Sequence, residues 1–212
     1  MAVEAVGASG LVVGADISLA MMNAASACAS SATFRAVATN GEALAFRDAS
    51  FDAVICQLGL MFFPHPDRGL AEARRVLRPG GCVAVCVIAA PERVPMWGIL
   101  AESLSRRLPD QASALNLSFA LADVARLKEM FGVVGFREIR VQRERREGII
   151  DSFDEYWAPI EAGTGQIPQA YLALPQESRR AVKDEVRERL SRFEVAGRLV
   201  MSAEMLIVAG RV

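Results

Sequence analysis

A strand–helix–strand pattern in the middle of the chain restricts most strongly how this protein can fold. Two apolar runs, residues 53–56 and 82–89, lack the alternation of polar and apolar residues that a half-exposed strand shows. We therefore expect two strands that are buried on both faces, as in a parallel sheet. Between them, Pro66 and Asp67 provide a helix start signal, and Pro79 ends the helix. This order predicts a right-handed crossover unit.

Further strands and helices are predicted on both sides of this unit. The predicted strands are residues 10–16, 34–38, 136–145 and 204–210. The predicted helices are residues 19–30, 95–108 and 123–131, followed by a helical excursion over residues 151–197. The strand at 136–145 alternates polar with apolar residues, which is typical of an exposed sheet edge.

Two segments of the central unit closely resemble one enzyme family. They are SFDAVICQLGLMFFP, which starts at Ser50, and EARRVLRPGG, which starts at Glu72. Together they resemble the class I S-adenosylmethionine-dependent methyltransferases, in the small-molecule branch that includes the ubiquinone and menaquinone C-methyltransferases. The resemblance implies an α/β, three-layer αβα Rossmann-like fold, with a mainly parallel sheet and an antiparallel last strand. It also implies methyl transfer from S-adenosyl-L-methionine to a small-molecule acceptor.

We expect residues 1–212 to form a single methyltransferase domain. The expected parts are a cofactor-side core at 1–90, a helical substrate-side cover at 91–130 and 151–197, and late strands at 131–150 and 198–212.

Asp16 is the principal candidate for cofactor binding. It ends the first predicted strand of this chain. In a nucleotide-binding sheet, the acid at the end of the sheet's second strand accepts hydrogen bonds from ribose hydroxyls. The segment VVGADIS also resembles the methyltransferase family at this position. The alternative is that Asp16 only caps the next helix, for which Ser18 is a further cap candidate.

The other expected cofactor contacts follow the same strand ends, because ligands of open parallel sheets lie beyond the carboxyl ends of the strands. The full set is Asp16, Ile17, Met21, Asn40, Gly41, Gln57 and Leu58. The family usually has an aspartate where Asn40 stands, bonding the adenine amino group. Asn40 can accept through its amide oxygen, but it is equally well explained as a turn residue.

The loop at residues 57–66 should face the acceptor, with Phe62 on the substrate side together with Trp97. One of Phe62 and Phe63 is expected to pack over the following helix. His65 is the sole histidine, and it is a candidate general base if the acceptor must lose a proton. The alternative is a solvated surface histidine.

The N-terminal segment departs from the family pattern. A glycine-rich cofactor loop should lie about 20 residues before the acid at Asp16, which is beyond Met1. Gly7, Gly10 and Gly14 do not form that motif. We therefore expect a chain without the family's first strand, which would lie between the strand ending at Asp16 and the strand ending near Gln57. The facing edges of these two strands should either pair with each other or accept another segment. Such a chain should bind S-adenosylmethionine weakly or not at all, and a restored glycine loop should recover binding.

Composition excludes several other classes. The net charge of −1 gives no electrostatic footprint for nucleic acid. The four cysteines form no metal pattern, and three lie in predicted buried strands, which fits a reducing cytoplasm. No apolar stretch reaches the roughly 18 residues that an integral membrane segment needs. No nucleophile elbow indicates a hydrolase.

Two alternatives to a working methyltransferase stay open at this point. Asp16 alone would also suit a nicotinamide-dependent oxidoreductase, although RVLRPGG and the loop after Gln57 argue against one. A non-catalytic or incomplete methyltransferase-like protein is the second alternative, because the glycine loop is absent from the sequence.

Overall fold

A computed structural model describes residues 2–29, 33–163 and 165–212. The strands are β1 (Val12–Asp16), β2 (Phe34–Ala38), β3 (Phe51–Gln57), β4 (Leu77–Ile88), β5 (Arg137–Ile150), β6 (Glu194–Val195) and β7 (Arg198–Arg211). The helices are α1 (Ala2–Val6), α2 (Leu19–Cys28), α3 (Pro66–Val76), α4 (Pro95–Arg107), α5 (Ala112–Leu115), α6 (Val124–Val134), α7 (Phe153–Glu161), α8 (Gln166–Leu172) and α9 (Gln176–Ser191). Each predicted element is present. The predicted end of α2 near Ser30 lies outside the described residues.

The strand directions agree with the expected fold. The larger sheet has the order β3-β4-β7-β5, with β6 forming a short hairpin with β7. β3 and β4 are parallel, whereas β7 is antiparallel to both β4 and β5. β5 therefore points in the same direction as β3 and β4, and the last long strand runs against its neighbours, as expected. β1 and β2 form a separate parallel pair.

The structure corrects the expectation for the edges of β1 and β3. In the described part of the chain β1 pairs with β2 alone and β3 with β4 alone, so the edges neither close on each other nor accept another segment. Residues of both strands instead line one cleft. Ala15 and Ile55 are exposed in it, so water can satisfy the backbone groups that a dry interior would leave unpaired.

The expected burial of both faces of the central strands is also wrong. Val83, Val85 and Val87 of β4 are fully buried against α3 and α6, but Ile55 of β3 is 69% exposed. Cys82 is exposed as well. β4 therefore has one fully covered face, whereas β3 has no fully buried residue on either face.

Helix α3 connects β3 to β4 and starts at Pro66 as predicted, but it ends before the predicted stop at Pro79, which lies within β4. Pro66 occupies its first turn, and Leu70, Ala73 and Val76 form the buried side. The helix ends at Val76, and Leu77 already pairs with Phe51 as a strand residue. The register then shifts before Cys82 pairs with Ala53, so the Pro-Gly-Gly segment forms a bulge.

A second apolar core lies beyond the carboxyl end of β4. The last pair of β4 with β7 is Ile88–Met205, whereas β5 and β7 continue as a two-stranded ribbon to the pair Ile150–Leu199. Helices α4, α7, α8 and α9 pack on this ribbon around the fully buried Trp157. No helix in the described residues is long and apolar enough to cross a membrane.

Candidate functional site

The main candidate site is a cleft of about 520 Å³ between the carboxyl ends of β1, β2 and β3. One wall is formed by residues at the ends of β1 and β2, and the other by β3 and the loop after it. Seven of the ten predicted site residues line it: Asp16, Ile17, Asn40, Gly41, Gln57, Leu58 and Phe62. Its floor is apolar and includes Phe46, Phe51 and Leu70.

Asp16 ends β1 and is half-buried. Its Oδ1 accepts a hydrogen bond from Ser18 N at 2.8 Å, and Ser18 Oγ accepts from Met21 N to cap α2. Asp16 thus supports the start of helix α2, which was the alternative to a role in ribose binding. Its Oδ2 accepts none of the hydrogen bonds found within the described residues, so the carboxylate retains an acceptor for a ribose hydroxyl.

Asn40 and Gly41 follow β2. Asn40 Oδ1 accepts from Glu42 N at 2.9 Å, and its carbonyl accepts from Ala43 N at 3.0 Å, so Asn40 does form a turn. An amide oxygen has two lone pairs, so the turn leaves room for a ligand donor. Phe63 packs directly against Gly41, where a Cβ would lie 2.2 Å from its ring.

Gln57 and Leu58 form the opposite side of the cleft. Leu58 has a φ of 55°, a conformation that non-glycine residues seldom adopt, and its N–H donates to Cys86 O at 2.9 Å. Such strained residues are concentrated at binding sites, because the backbone must turn sharply there. Gln57 is exposed at the mouth of the cleft.

Phe62 and Phe63, the aromatic pair after β3, have different surroundings, as expected. Phe63 packs against Gly69 of α3, where a Cβ would lie 2.5 Å from its ring. Phe62 remains 48% exposed and lines the cleft.

Three predicted site residues lie outside the lining of the cleft. Met21 is 59% exposed on α2, and Trp97 is half-buried against the sheet core. His65 is exposed at the start of α3, where its backbone N–H donates to Glu42 Oε1 at 2.6 Å. The roles assigned to these three residues stay predictions.

The structure also identifies residues that sequence reasoning missed. Glu42 lines the cleft, and Glu72 and Arg75 of α3 bind the segment that contains Glu42. The hydrogen bonds of Glu72, first of all with Arg75, lower the pKa of Glu72. The only signal in the sequence was the spacing of an acid and a base at i and i+3 in a predicted helix.

Nucleophilic and metal chemistry have little support here. Burial raises the pKa of the Cys56 thiol, which favours its unreactive neutral form. The described residues contain no group of histidine, cysteine, aspartate or glutamate side chains that could hold a metal ion. The cleft instead offers a carboxylate, amide groups and an apolar floor, which suit a nucleoside.

Comparison with solved structures identifies the fold. A candidate methyltransferase of Bacillus halodurans superimposes with a TM-score of 0.61 at 19% identity, covering 94% of this chain and 82% of that chain. Phosphoethanolamine N-methyltransferase 2 of Haemonchus contortus, solved with S-adenosylhomocysteine, gives a TM-score of 0.54 at 16% identity, covering 95% and 44%. The chain therefore has a methyltransferase fold.

Sequence comparison finds a family match in the N-terminal part. Residues 2–85 match the family model described as a methyltransferase domain. The demethylmenaquinone methyltransferase of Mycolicibacterium vanbaalenii is 36% identical over 114 residues, which are 54% of this chain and 48% of that relative. The chain thus spans about half the length of this curated relative.

Proposed function

We propose that the cleft binds S-adenosylmethionine and that the protein transfers its methyl group to a small-molecule acceptor. One observation carries the proposal: Asp16, the Asn40–Gly41 turn and the Gln57–Leu58 turn come from three strand ends and line the same cleft. The match of residues 2–85 to the methyltransferase domain model supports the choice of this cofactor over others.

The residues present fit an adenosyl group. Asp16 has a carboxylate oxygen available to the ribose, and charge-assisted hydrogen bonds of this kind are worth about 1.5–3 kcal/mol each. Ile17, which follows it, is 77% exposed and offers an apolar surface beside the polar group. In this proposal Asn40 and Gly41 contact the adenine edge, and Gln57 and Leu58, which also line the cleft, contact the cofactor from the opposite side.

The chain's contribution to the reaction is binding and orientation. S-adenosylmethionine supplies a methyl group on a positively charged sulfur, which is displaced without a protein nucleophile. The walls of the cleft hold the adenosyl part, and Phe62 presents an exposed aromatic surface to the acceptor. Of the two interpretations of His65, its exposed position outside the lining of the cleft favours a surface residue over a general base.

Substitution of Asp16 tests the proposal directly. Asp16→Asn keeps an oxygen for Ser18 N but removes the charge, whereas Asp16→Ala removes both. We expect Asp16→Ala to weaken S-adenosylmethionine binding at least about tenfold, with a smaller loss in Asp16→Asn. Isothermal titration calorimetry up to millimolar ligand would measure both. Asp110→Ala, at an exposed aspartate away from the cleft, is the matched control.

The same titration separates the alternatives. Equal affinity in wild type and Asp16→Ala would refute the assignment of Asp16. Tight binding of NAD in place of S-adenosylmethionine would favour the oxidoreductase. Binding of neither ligand by the wild-type chain would favour the incomplete or non-catalytic protein.

Two broader proposals accompany this one. We propose that residues 1–212 act as one methyltransferase domain in the cytoplasm, without a nucleic-acid partner. The free state of Cys28, Cys56, Cys82 and Cys86 supports a reducing location.

A further inference from the structure

The two walls of the cleft share no backbone ladder in the described residues, so something else must set their spacing. The chain passes from one wall to the other through residues 40–50, which we call the link segment. It connects the end of β2 to the start of β3, and its first two residues, Asn40 and Gly41, line the cleft. Its hydrogen bonds to the other wall are made mainly to helix α3.

Arg75 makes most of these bonds. Its Nε and Nη2 donate to the two carboxylate oxygens of Glu72, each at 2.7 Å. Nη2 also donates to Leu44 O at 2.9 Å, and Nη1 donates to Phe46 O at 2.8 Å and to Asp48 Oδ1 at 2.7 Å. All five N–H groups of a guanidinium are thereby used. A lysine, with one compact ammonium group, cannot reproduce this fork.

Glu72 completes the arrangement from the same helix. Its Oε2 accepts from Leu44 N at 2.7 Å as well as from Arg75. Leu44 is therefore held at both its N–H and its carbonyl. The hydrogen bonds with Glu72 and then with Asp48 raise the pKa of Arg75, and the bond from Arg75 lowers the pKa of Glu72. The end of α3 adds two backbone acceptors, Arg75 O for Ala49 N and Val76 O for Ser50 N.

The start of the link segment is held by a second set of contacts. The ring of Phe63 packs against both Gly41 of the link segment and Gly69 of α3. Glu42 accepts from His65 N just before α3 begins. Bonds at Glu42, Leu44, Phe46 and Asp48 thus fix the link segment from near its start almost to its end.

We infer that Glu72 and Arg75 are positioning residues for the cofactor, an inference that rests on the proposed function. Neither side chain lines the cleft. They act through the link segment, because they hold Asn40 and Gly41 at a fixed distance from Gln57 and Leu58 on the other wall. Loss of the pair should leave the link segment free to move and the cofactor without one of its two walls.

The test compares Arg75→Met with two controls in the full chain. Arg78→Met removes a neighbouring arginine whose partner is Asp52 at 2.5 Å, outside the cleft. Val186→Ala destabilises the second core, so it reports the effect of a general loss of stability. Glu72→Gln and Arg75→Lys are included as conservative changes. Each variant is titrated with S-adenosylmethionine and analysed by hydrogen–deuterium exchange.

We expect Arg75→Met to weaken S-adenosylmethionine binding about fivefold or more, and to speed amide exchange selectively in residues 40–50. Glu72→Gln should weaken S-adenosylmethionine binding less than Arg75→Met does. Arg75→Lys should bind little better than Arg75→Met. Arg78→Met and Val186→Ala should bind like the wild type at a temperature where all variants are folded.

Three results would contradict the inference in distinguishable ways. Normal binding by Arg75→Met refutes the positioning role and leaves the proposed function intact. Unchanged exchange in residues 40–50 refutes the hold of Arg75 on the link segment. Failure of the wild-type chain to bind at millimolar S-adenosylmethionine refutes the proposed function, and with it any positioning role toward this ligand.

Discussion

The position of His65 in the sequence suggested a general base, but its position in the structure does not support that role. It lies in the loop at residues 57–66, which was expected to face the acceptor. In the structure it is the exposed residue that precedes Pro66 of α3, and its backbone serves the start of the helix. Its side chain makes no capping hydrogen bond.

Replacement of His65 by alanine distinguishes the two interpretations. If His65 is a general base, its removal should lower turnover about 10²–10⁴-fold with little change in cofactor affinity. Because the imidazole lies outside the lining of the cleft, we expect a change smaller than about threefold. Methyl-transfer assays at saturating S-adenosylmethionine would measure it, and a fall of a hundredfold would assign the base to His65.

At Gly41 the size of the side chain alone should determine how a substitution affects stability. A Cβ there would lie 2.2 and 2.5 Å from atoms of the Phe63 ring, which also packs against Gly69 of α3. We expect Gly41→Ala to lower the free energy of unfolding by about 1–3 kcal/mol, as overpacking does. Thermal or urea unfolding would measure the change.

The companion variants of Gly41→Ala test this explanation. Phe63→Leu combined with Gly41→Ala should be more stable than Gly41→Ala alone, because the smaller side chain relieves the contact. Gly148→Ala is the control, since its Cβ would meet nothing closer than Met201 O at 3.8 Å. A Gly41→Ala variant as stable as the wild type would contradict the packing seen here.

Helix α3 and strands β3 and β4 were predictable from sequence because their signals are local. Pro66, Asp67 and the apolar spacing of Leu70 and Ala73 act within a few residues of one another. Strand β5 was likewise predictable as an edge, since its charged residues alternate with apolar ones near its start.

The link segment was not predictable for the opposite reason. Arg75 lies 29 residues from Phe46 and 31 from Leu44 along the chain, and no periodic pattern connects them. The exposure of Ile55 was missed similarly, because burial of a strand face depends on which distant segments cover it. The cleft residues at strand ends were found because the chemistry of open sheets places ligands there.

Charge pairs between α4 and α9 join the helices of the second core. Glu102 bonds to Arg189 at 2.5 Å, and Glu185 bonds to Arg107 at 2.8 Å. Bonding to Arg189 lowers the pKa of Glu102. Burial alone would raise the pKa of Glu185, but its bonds to Arg107 and Ser103 outweigh burial, and the net shift is downward.

These shifts determine how stability should depend on pH. A carboxyl group whose pKa is lowered by folding stabilises the protein above its ordinary pKa of 4.5, and that contribution is lost as the pH falls through the lower folded value. We expect the melting temperature to fall as the pH drops below 4.5. The fall should be shallower in Glu102→Gln/Glu185→Gln, measured by calorimetry across that range.

A charge-matched pair of substitutions provides the control for this experiment. Glu177 and Glu188 are exposed on the same helix α9 and lie outside the α4 contacts. Glu177→Gln/Glu188→Gln should retain the wild-type pH dependence. If both double variants behaved alike, net charge and not the α4–α9 pairs would explain the acid sensitivity.

The position of β7 has a consequence for biosynthesis. β7 lies between β4 and β5, yet it follows both of them in the sequence and is synthesised after them. Until residues 198–211 leave the ribosome, β4 and β5 each present an unpaired edge on which a neighbouring nascent chain could add a strand. The dense charge of β5, with the sequence REIRVQRERREGII, opposes such pairing. We therefore expect the arginines and glutamates of this strand to oppose aggregation of the newly made chain until β7 is available to pair.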